Sequence, residues 1–202
     1  MAAAGVTNMR EAKSKNELTR DMRDGPRYKE GCYRPAIIVS RQANHQSFTM
    51  TRQQTREILL AVPPEVAFEL LVTCSHIQQW WSAAYAIVMP GEGGTWTVAW
   101  GDDSDQPDYI TSATITKWEP GRLLVFGDYH YHSKEGPLPF KADFVTRFEI
   151  EPHKDGSLLR VNQSGFPDDP AADDFYEACG NGWHQTFLQM QHYASTLLSQ
   201  PD

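Results

Sequence analysis

A long amphipathic segment near the C-terminus, FYEACGNGWHQTFLQMQHYASTLL, most constrains what this chain can become. The spacing predicts a helix over 175–198. Tyr176, Gly180, Trp183, Phe187, Met190, Ala194 and Leu197 recur at steps of four and three, which draws one apolar stripe and leaves Gln185, Gln189 and Gln191 off it. Such a stripe requires a broad apolar partner. Its start is signalled by Asp169 as a cap and Pro170 at the first helical position. The pairs Asp168/Asp169 and Asp173/Asp174 sit at the positive end of the helix dipole. No His or Cys lies beside them in sequence, so helix-start chemistry is the reading and a metal site is not expected.

The partner has to come from the alternating segments upstream. An expected first strand at 56–62 ends at Pro63-Pro64, which also opens a short helix at 66–72. Ser75 is placed to cap a second helical piece, 77–81, that ends in Trp80-Trp81. Beyond it the period becomes two. Strands are expected at 85–89, 95–100, 108–119, 122–132, 141–151 and 157–166, separated by Gly- and Pro-rich turns. The order strand, two short helices, six strands and one long helix is α+β: a meandering antiparallel sheet whose concave face the long helix covers.

Several motifs are excluded by what they lack. Pro90-Gly91-Glu92-Gly93-Gly94 has no Lys-Ser/Thr and leads into a strand, so it is a hairpin turn rather than a phosphate loop. The acidic turn around Asp102, Asp103 and Asp105 lacks the glycine and distal glutamate of a calcium loop. The cysteines Cys32, Cys74 and Cys179 are odd in number and widely spaced, which argues against a disulfide framework and a zinc knuckle. Cys74 and Cys179 read as small core residues. No metal and no cofactor are expected.

Charge divides the chain. Residues 1–50 carry nine Lys/Arg and five Asp/Glu, while the remainder is strongly acidic within an overall charge of −8. An acidic folded part disfavours nucleic acid and anionic membrane as partners, since both are held through cationic contacts to phosphate. No apolar run is long enough to span a membrane, and the first residues do not form a secretory segment, so the cytoplasm is expected. Residues 1–49 lack a core-facing period and read as a polar, disordered extension, or as sequence upstream of a start at Met50; residues 50–200 read as the folded domain.

The most chemical-looking cluster lies in 122–132. Asp128, His130 and His132 share one strand face, and Tyr129 and Tyr131 share the other with Leu123 and Val125. The aromatic face is expected inside, because two imidazoles and a carboxylate would each need a partner in an apolar interior.

In order and spacing, REILLAVPPEVAFELL with QQWW, PGEGGTW, ITKWEPGRLLVF, FVTRFEIEP, GSLLRVNQSGF and GNGWHQTFLQM resemble the SRPBCC or START-like superfamily. Within it the likeness is to the heat-shock-protein-90 ATPase activator homologue-like group. The resemblance implies a helix-grip fold: a curved antiparallel sheet of about seven strands wrapped on the C-terminal helix, with an apolar cavity between them. Similar proteins bind lipids, hormones and polyketides, and a minority catalyse cyclisation or dehydration.

A binding module for a hydrophobic small molecule is therefore the leading expectation. Its candidate walls are Trp81, Trp96, Trp100, Tyr129, Tyr131, Phe144, Phe148, Trp183 and Phe187. Against it stands simple packing, in which these side chains fill the space. A cyclase, dehydratase or hydrolase would use the same cavity, with His184 or the Tyr129/Tyr131 pair as acid or base, but no catalytic motif supports it. A chaperone-activator-like interaction domain is the third reading, and a homodimer is left open. A variant beginning at Met50 is expected to melt cooperatively near the full-length temperature in a calorimetric scan; aggregation on expression would make residues 1–49 structural.

Overall fold

The computed structural model describes residues 51–103 and 105–198; the expected N-terminal extension, Met50, Cys32 and the last four residues lie outside them. Seven strands run β1 (Thr51–Leu60), β2 (Tyr85–Val88), β3 (Thr95–Trp100), β4 (Tyr109–Glu119), β5 (Leu123–Ser133), β6 (Val145–His153) and β7 (Gly156–Pro167). Helices α1 (Pro64–Val72) and α2 (Cys74–Trp81) follow β1, and α3 (Asp173–Leu197) closes the domain after a short turn of tighter helix at Pro170–Ala172. The sheet order is β1-β7-β6-β5-β4-β3-β2, antiparallel throughout. This is the helix-grip arrangement.

The expected elements are present, with boundaries moved for identifiable reasons. β1 starts at Thr51 rather than at residue 56, because its polar first half pairs with β7 from Thr51↔Pro167 to Leu60↔Ser157. Ladder hydrogen bonds make a strand of TRQQT although its apolar alternation is weak. Ser75 does not cap α2: Thr73 is the cap residue, and its hydroxyl instead donates to Glu69 Oε2 at 2.7 Å. Asp169 does cap, but it caps the tighter turn Pro170–Ala172 that leads into α3, accepting from the Ala171 amide at 2.8 Å; α3 itself starts from Ala172 with no side-chain cap.

The helix stripe is displaced at its start. Phe175 and Cys179 are buried where Tyr176 is half-buried. The Tyr176 hydroxyl donates to the Gln53 carbonyl at 2.8 Å, and the Arg52 guanidinium lies over its ring. Trp183, Phe187, Met190 and Ala194 remain on the buried line. Gly180 has a spatial reason to be on it: a Cβ there would come within 2.6 Å of Gln54 Oε1, so its absence lets α3 approach β1.

β5 breaks the expected alternation. Ser112 faces His130 but Thr114 faces Gly127, so two residues of β5 oppose one of β4, and Asp128 sits at φ 49°. This bulge advances the side-chain phase by one. Leu124 and Phe126 therefore join the main core on the same side as Tyr129 and Tyr131, whereas alternation alone put them with the histidines. Asp128, His130 and His132 are exposed.

The main core lies between the sheet's concave face, α1, α2 and α3. A second cluster of Phe144, Phe166, Phe175 and Cys179 occupies one end, where Gly165 (φ 86°) is needed because a Cβ would collide with the Asp143 carbonyl. Trp183, 3% exposed, is the central helix anchor. Trp183→Ala is expected to cost about 3 to 5 kcal/mol in denaturant unfolding; a loss below about 1 kcal/mol would mean that it is not packed between helix and sheet.

Candidate functional site

Trp81, the last residue of α2, occupies the centre of the interior. Its ring contacts Trp80 (4.8 Å between centroids), Trp100 (5.2 Å), Trp96 (5.7 Å) and Trp183 (5.8 Å). Trp96 reaches Phe126, Phe126 reaches Phe148, Phe148 reaches Trp183 and Trp183 reaches Phe187, each within 6 Å. The space expected to be a ligand-sized cavity is filled by these rings. What remains is a void of about 10 Å³.

Two threonines stand among the rings around the void. Trp81, Trp96, Tyr129, Phe148 and Trp183, all expected as ligand walls, surround it together with Phe126, Thr111 and Thr146. Trp100 and Phe187 are buried in the same core without reaching the void. Tyr131 and Phe144 face clefts nearer the surface. Sequence reasoning missed three members for different reasons. Phe126 was hidden by the bulge. Thr111 and Thr146 sit at inward positions of β4 and β6, where a threonine among apolar neighbours is the one available signal.

Those threonines and Trp81 share an unusual property. The indole N–H groups of Trp80, Trp96 and Trp100 donate to the carbonyls of Leu70, Leu71 and Trp81, and that of Trp183 donates to Gln163 Oε1. Trp81 Nε1, Thr111 Oγ1 and Thr146 Oγ1 are buried and have no hydrogen-bond partner. Buried polar groups are ordinarily paired, and leaving one unpaired costs about 1–3 kcal/mol. Thr146 lies close enough to Tyr129 to favour that phenol's ionised form slightly, without a hydrogen bond of good geometry.

Burial dominates the ionisation behaviour here. It raises the Tyr129 phenol well above its ordinary value, and pushes Tyr131 up to about 12 against a partial offset from a Ser133 hydrogen bond. The Cys179 thiol is likewise raised by burial to about 12. None of the three is an acid or base near neutrality. His184, considered as a catalytic group, is exposed on the outer side of α3 and does not face the interior. Among the described residues, no three His, Cys, Asp or Glu side chains are grouped to hold a metal ion, and no helix is long and apolar enough to cross a membrane.

Two clefts flank the aromatic end. One of about 270 Å³ is bounded by Tyr131, Ser133 and Glu135 of the β5 end, by Leu138 and Phe140 of the following connection, and by Phe175 of α3. The other, an open groove of about 530 Å³, is bounded by Asp128, Tyr129 and His130 on one side and Asp143, Phe144 and Val145 on the other. Both exist because β5 and β6 pair only from Leu123 to Phe126. β6 begins only at Val145, so past Phe126 β5 runs on beside the connection 134–144 instead of a strand. Aromatic side chains then separate the interior from the surface: Tyr129 against Phe144 at 6.3 Å, and Phe140 against Phe175 at 5.6 Å.

Residues 61–195 match the family described as activator of Hsp90 ATPase homolog 1-like protein. The chain belongs to that family. Solved structures agree on the fold. Protein MLL2253 of Mesorhizobium loti is 22% identical, with a TM-score of 0.58 over 75% of this chain and 99% of that one. Protein SA2116 of Staphylococcus aureus, titled as of unknown function, is 12% identical, with a TM-score of 0.60 over 76% of this chain and 99% of its own. Protein CV1439 of Chromobacterium violaceum is 19% identical, with a TM-score of 0.54 over 74% and 99%. No curated protein matches significantly.

The raised phenol and thiol values fix the sign of one pH dependence. Folding favours the neutral forms of Tyr131 and Cys179, so their stabilisation is complete below the ordinary values of 10.0 and 9.0 and is lost as pH climbs toward about 12. Thermal melts followed by circular dichroism should show these groups contributing no slope near neutrality and a steep fall above about pH 9. In a Cys179→Ala variant the fall should begin nearer pH 10, the ordinary tyrosine value.

Proposed function

We propose that this chain binds a small lipophilic molecule between the sheet and α3, admitted at the end where β5 runs on beyond its pairing with β6. The observation that carries the reading is the early end of β5–β6 pairing at Phe126. A closed sheet would seal the core with backbone hydrogen bonds, whereas here rings on rotatable bonds do so. The adjoining cleft of about 270 Å³ is close to the lower end of the volumes, roughly 300–1,000 Å³, that small-molecule sites occupy. A ligand entering there gains its room as Phe140, Phe144 and Phe175 turn aside. Tyr129 and Tyr131 become its walls, and Trp81, Trp96, Phe148 and Trp183 form the far end.

The enzyme reading has less support. The void's wall carries no group that titrates near neutrality, and His184 is on the outside. General acid–base work needs a group poised near the operating pH.

Titration of a hydrophobic fluorescent probe tests the site. Changing Tyr129→Ala together with Tyr131→Ala should weaken probe binding several-fold, and His130→Ala with His132→Ala should leave it intact. If the histidine variant stays folded yet loses binding, the ligand lies on the outer face and the interior reading is wrong. Native mass spectrometry of the purified chain should also reveal a co-purified lipophile.

A further inference from the structure

The chain enters the folded domain at the rim of one of its clefts. Thr51 pairs with Pro167, and the Arg52 guanidinium donates to the Pro167 carbonyl at 2.8 Å and to Asp173 Oδ1 at 2.6 Å. Ala171 and Asp174, on either side of Asp173 in the chain, border the cleft of about 270 Å³. Whatever precedes Thr51 therefore leaves the domain beside that cleft. The cleft has apolar walls in Tyr131, Leu138, Phe140 and Phe175, its charged residues are Glu135 and Asp174, and no Lys or Arg borders it. Such a surface suits aliphatic side chains with cations at their flanks. The sequence before Thr51 holds a run of that kind. Ile37-Ile38-Val39 is a row of branched aliphatic residues found nowhere else in the first 49, Arg34 and Arg41 flank it, and residues 31–50 contain no Asp or Glu.

We propose that segment 34–41 of the same chain docks in this cleft, its aliphatic side chains against Phe140 and Phe175 and its two arginines beside Glu135 and Asp174. Reach is sufficient, because residues 40–50 span up to about 40 Å at about 3.5 Å per residue from an anchor already at the rim. The tether also raises the local concentration of the segment to the order of millimolar, so a contact too weak to hold a free peptide fills the cleft in cis. The charges match in sign, but exposed ion pairs contribute little each and are screened by salt. Burial of the isoleucines is therefore the main contribution, and the charges chiefly supply specificity. A segment docked here lies across the entrance through which a lipophile is admitted, so the two compete. That competition rests on the lipophile reading; the docking does not.

A nitroxide on Cys32 of the full chain tests the docking. Cys179 is 2% exposed and its thiol is raised by burial to about 12, so a Cys74→Ser background leaves Cys32 as the reactive thiol. Amide signals of 135–140 and 171–175 should broaden several-fold more than those of the turns at Gly121 and Gly156, at the other end of the sheet. Ile37→Ser with Ile38→Ser should remove most of that difference. Arg34→Glu with Arg41→Glu should weaken it, more at low salt than at high, and adding Glu135→Lys with Asp174→Lys to that variant should restore it. Uniform broadening overturns the proposal, as does a difference untouched by the isoleucine variant, which is the mark of a tether alone. Broadening seen only between labelled and unlabelled chains overturns it as well and gives the cleft to a second copy. In the fluorescent-probe titration the isoleucine variant should bind several-fold tighter than the unaltered chain. Cleft-specific broadening that the isoleucine variant abolishes, with unchanged probe affinity, upholds the docking and removes this cleft as the lipophile's entrance.

Discussion

The seating of the long helix on the sheet turns on one buried hydrogen bond. Trp183 on α3 donates to Gln163 Oε1 at 2.9 Å, and Gln163, on β7, is fully buried beside Gln54 of β1. A buried amide surrounded by hydrocarbon would be a liability without partners. Here its oxygen accepts from the Trp183 indole and, at 3.5 Å, from Gln54 Nε2, which ties α3 to β7 and β1 at one place. Gly180, one turn earlier, permits the close approach that brings the two together. From that contact the packing follows outward: Trp183 meets Trp81 and Phe148, and Trp81 gathers Trp96 and Trp100.

How much of this was legible in the sequence varies with the kind of interaction. The long helix, the Asp169 cap of the turn that leads into it and the alternation of β3, β6 and β7 depend on local signals, and these were readable. β1 from Thr51 to Thr55 was not, because its strand character comes from pairing with β7 far along the chain. The most instructive case is β5. Counting by twos from Leu123 put Tyr129 with Val125, and the bulge at Asp128 puts it with Phe126 instead. A single residue at positive φ leaves no strong mark in composition when it is aspartate rather than glycine. The candidate walls were recognised as large aromatics, but the distinction between ring that packs and ring that lines a void depends on depth across four elements. The unpaired atoms were less legible still: a threonine at an inward strand position looks the same whether or not its hydroxyl finds a partner.

The interior therefore combines two opposed tendencies. Five tryptophans and several phenylalanines pack a dense core, which explains why so little empty volume remains. Within that density three polar atoms are left unpaired, where an apolar substitution of the same shape would be expected to raise stability. Cores carry such costs where something other than folding has shaped the residue choice.

The short seam between β5 and β6 has a mechanical meaning as well. Pairing over 123–126 divides the sheet into two leaves, β1-β7-β6 and β5-β4-β3-β2, joined by a brief run of hydrogen bonds near one end. A ribbon riveted at one end and free at the other bends about the rivet. If the leaves spread at the aromatic end while the Leu123 end stays fixed, slow exchange of the amides near Leu124 beside faster exchange of those amides of 128–132 that do not pair with β4 would be the signature of such a clasp. The fold would thus yield along a built-in crease, with its helix still gripped.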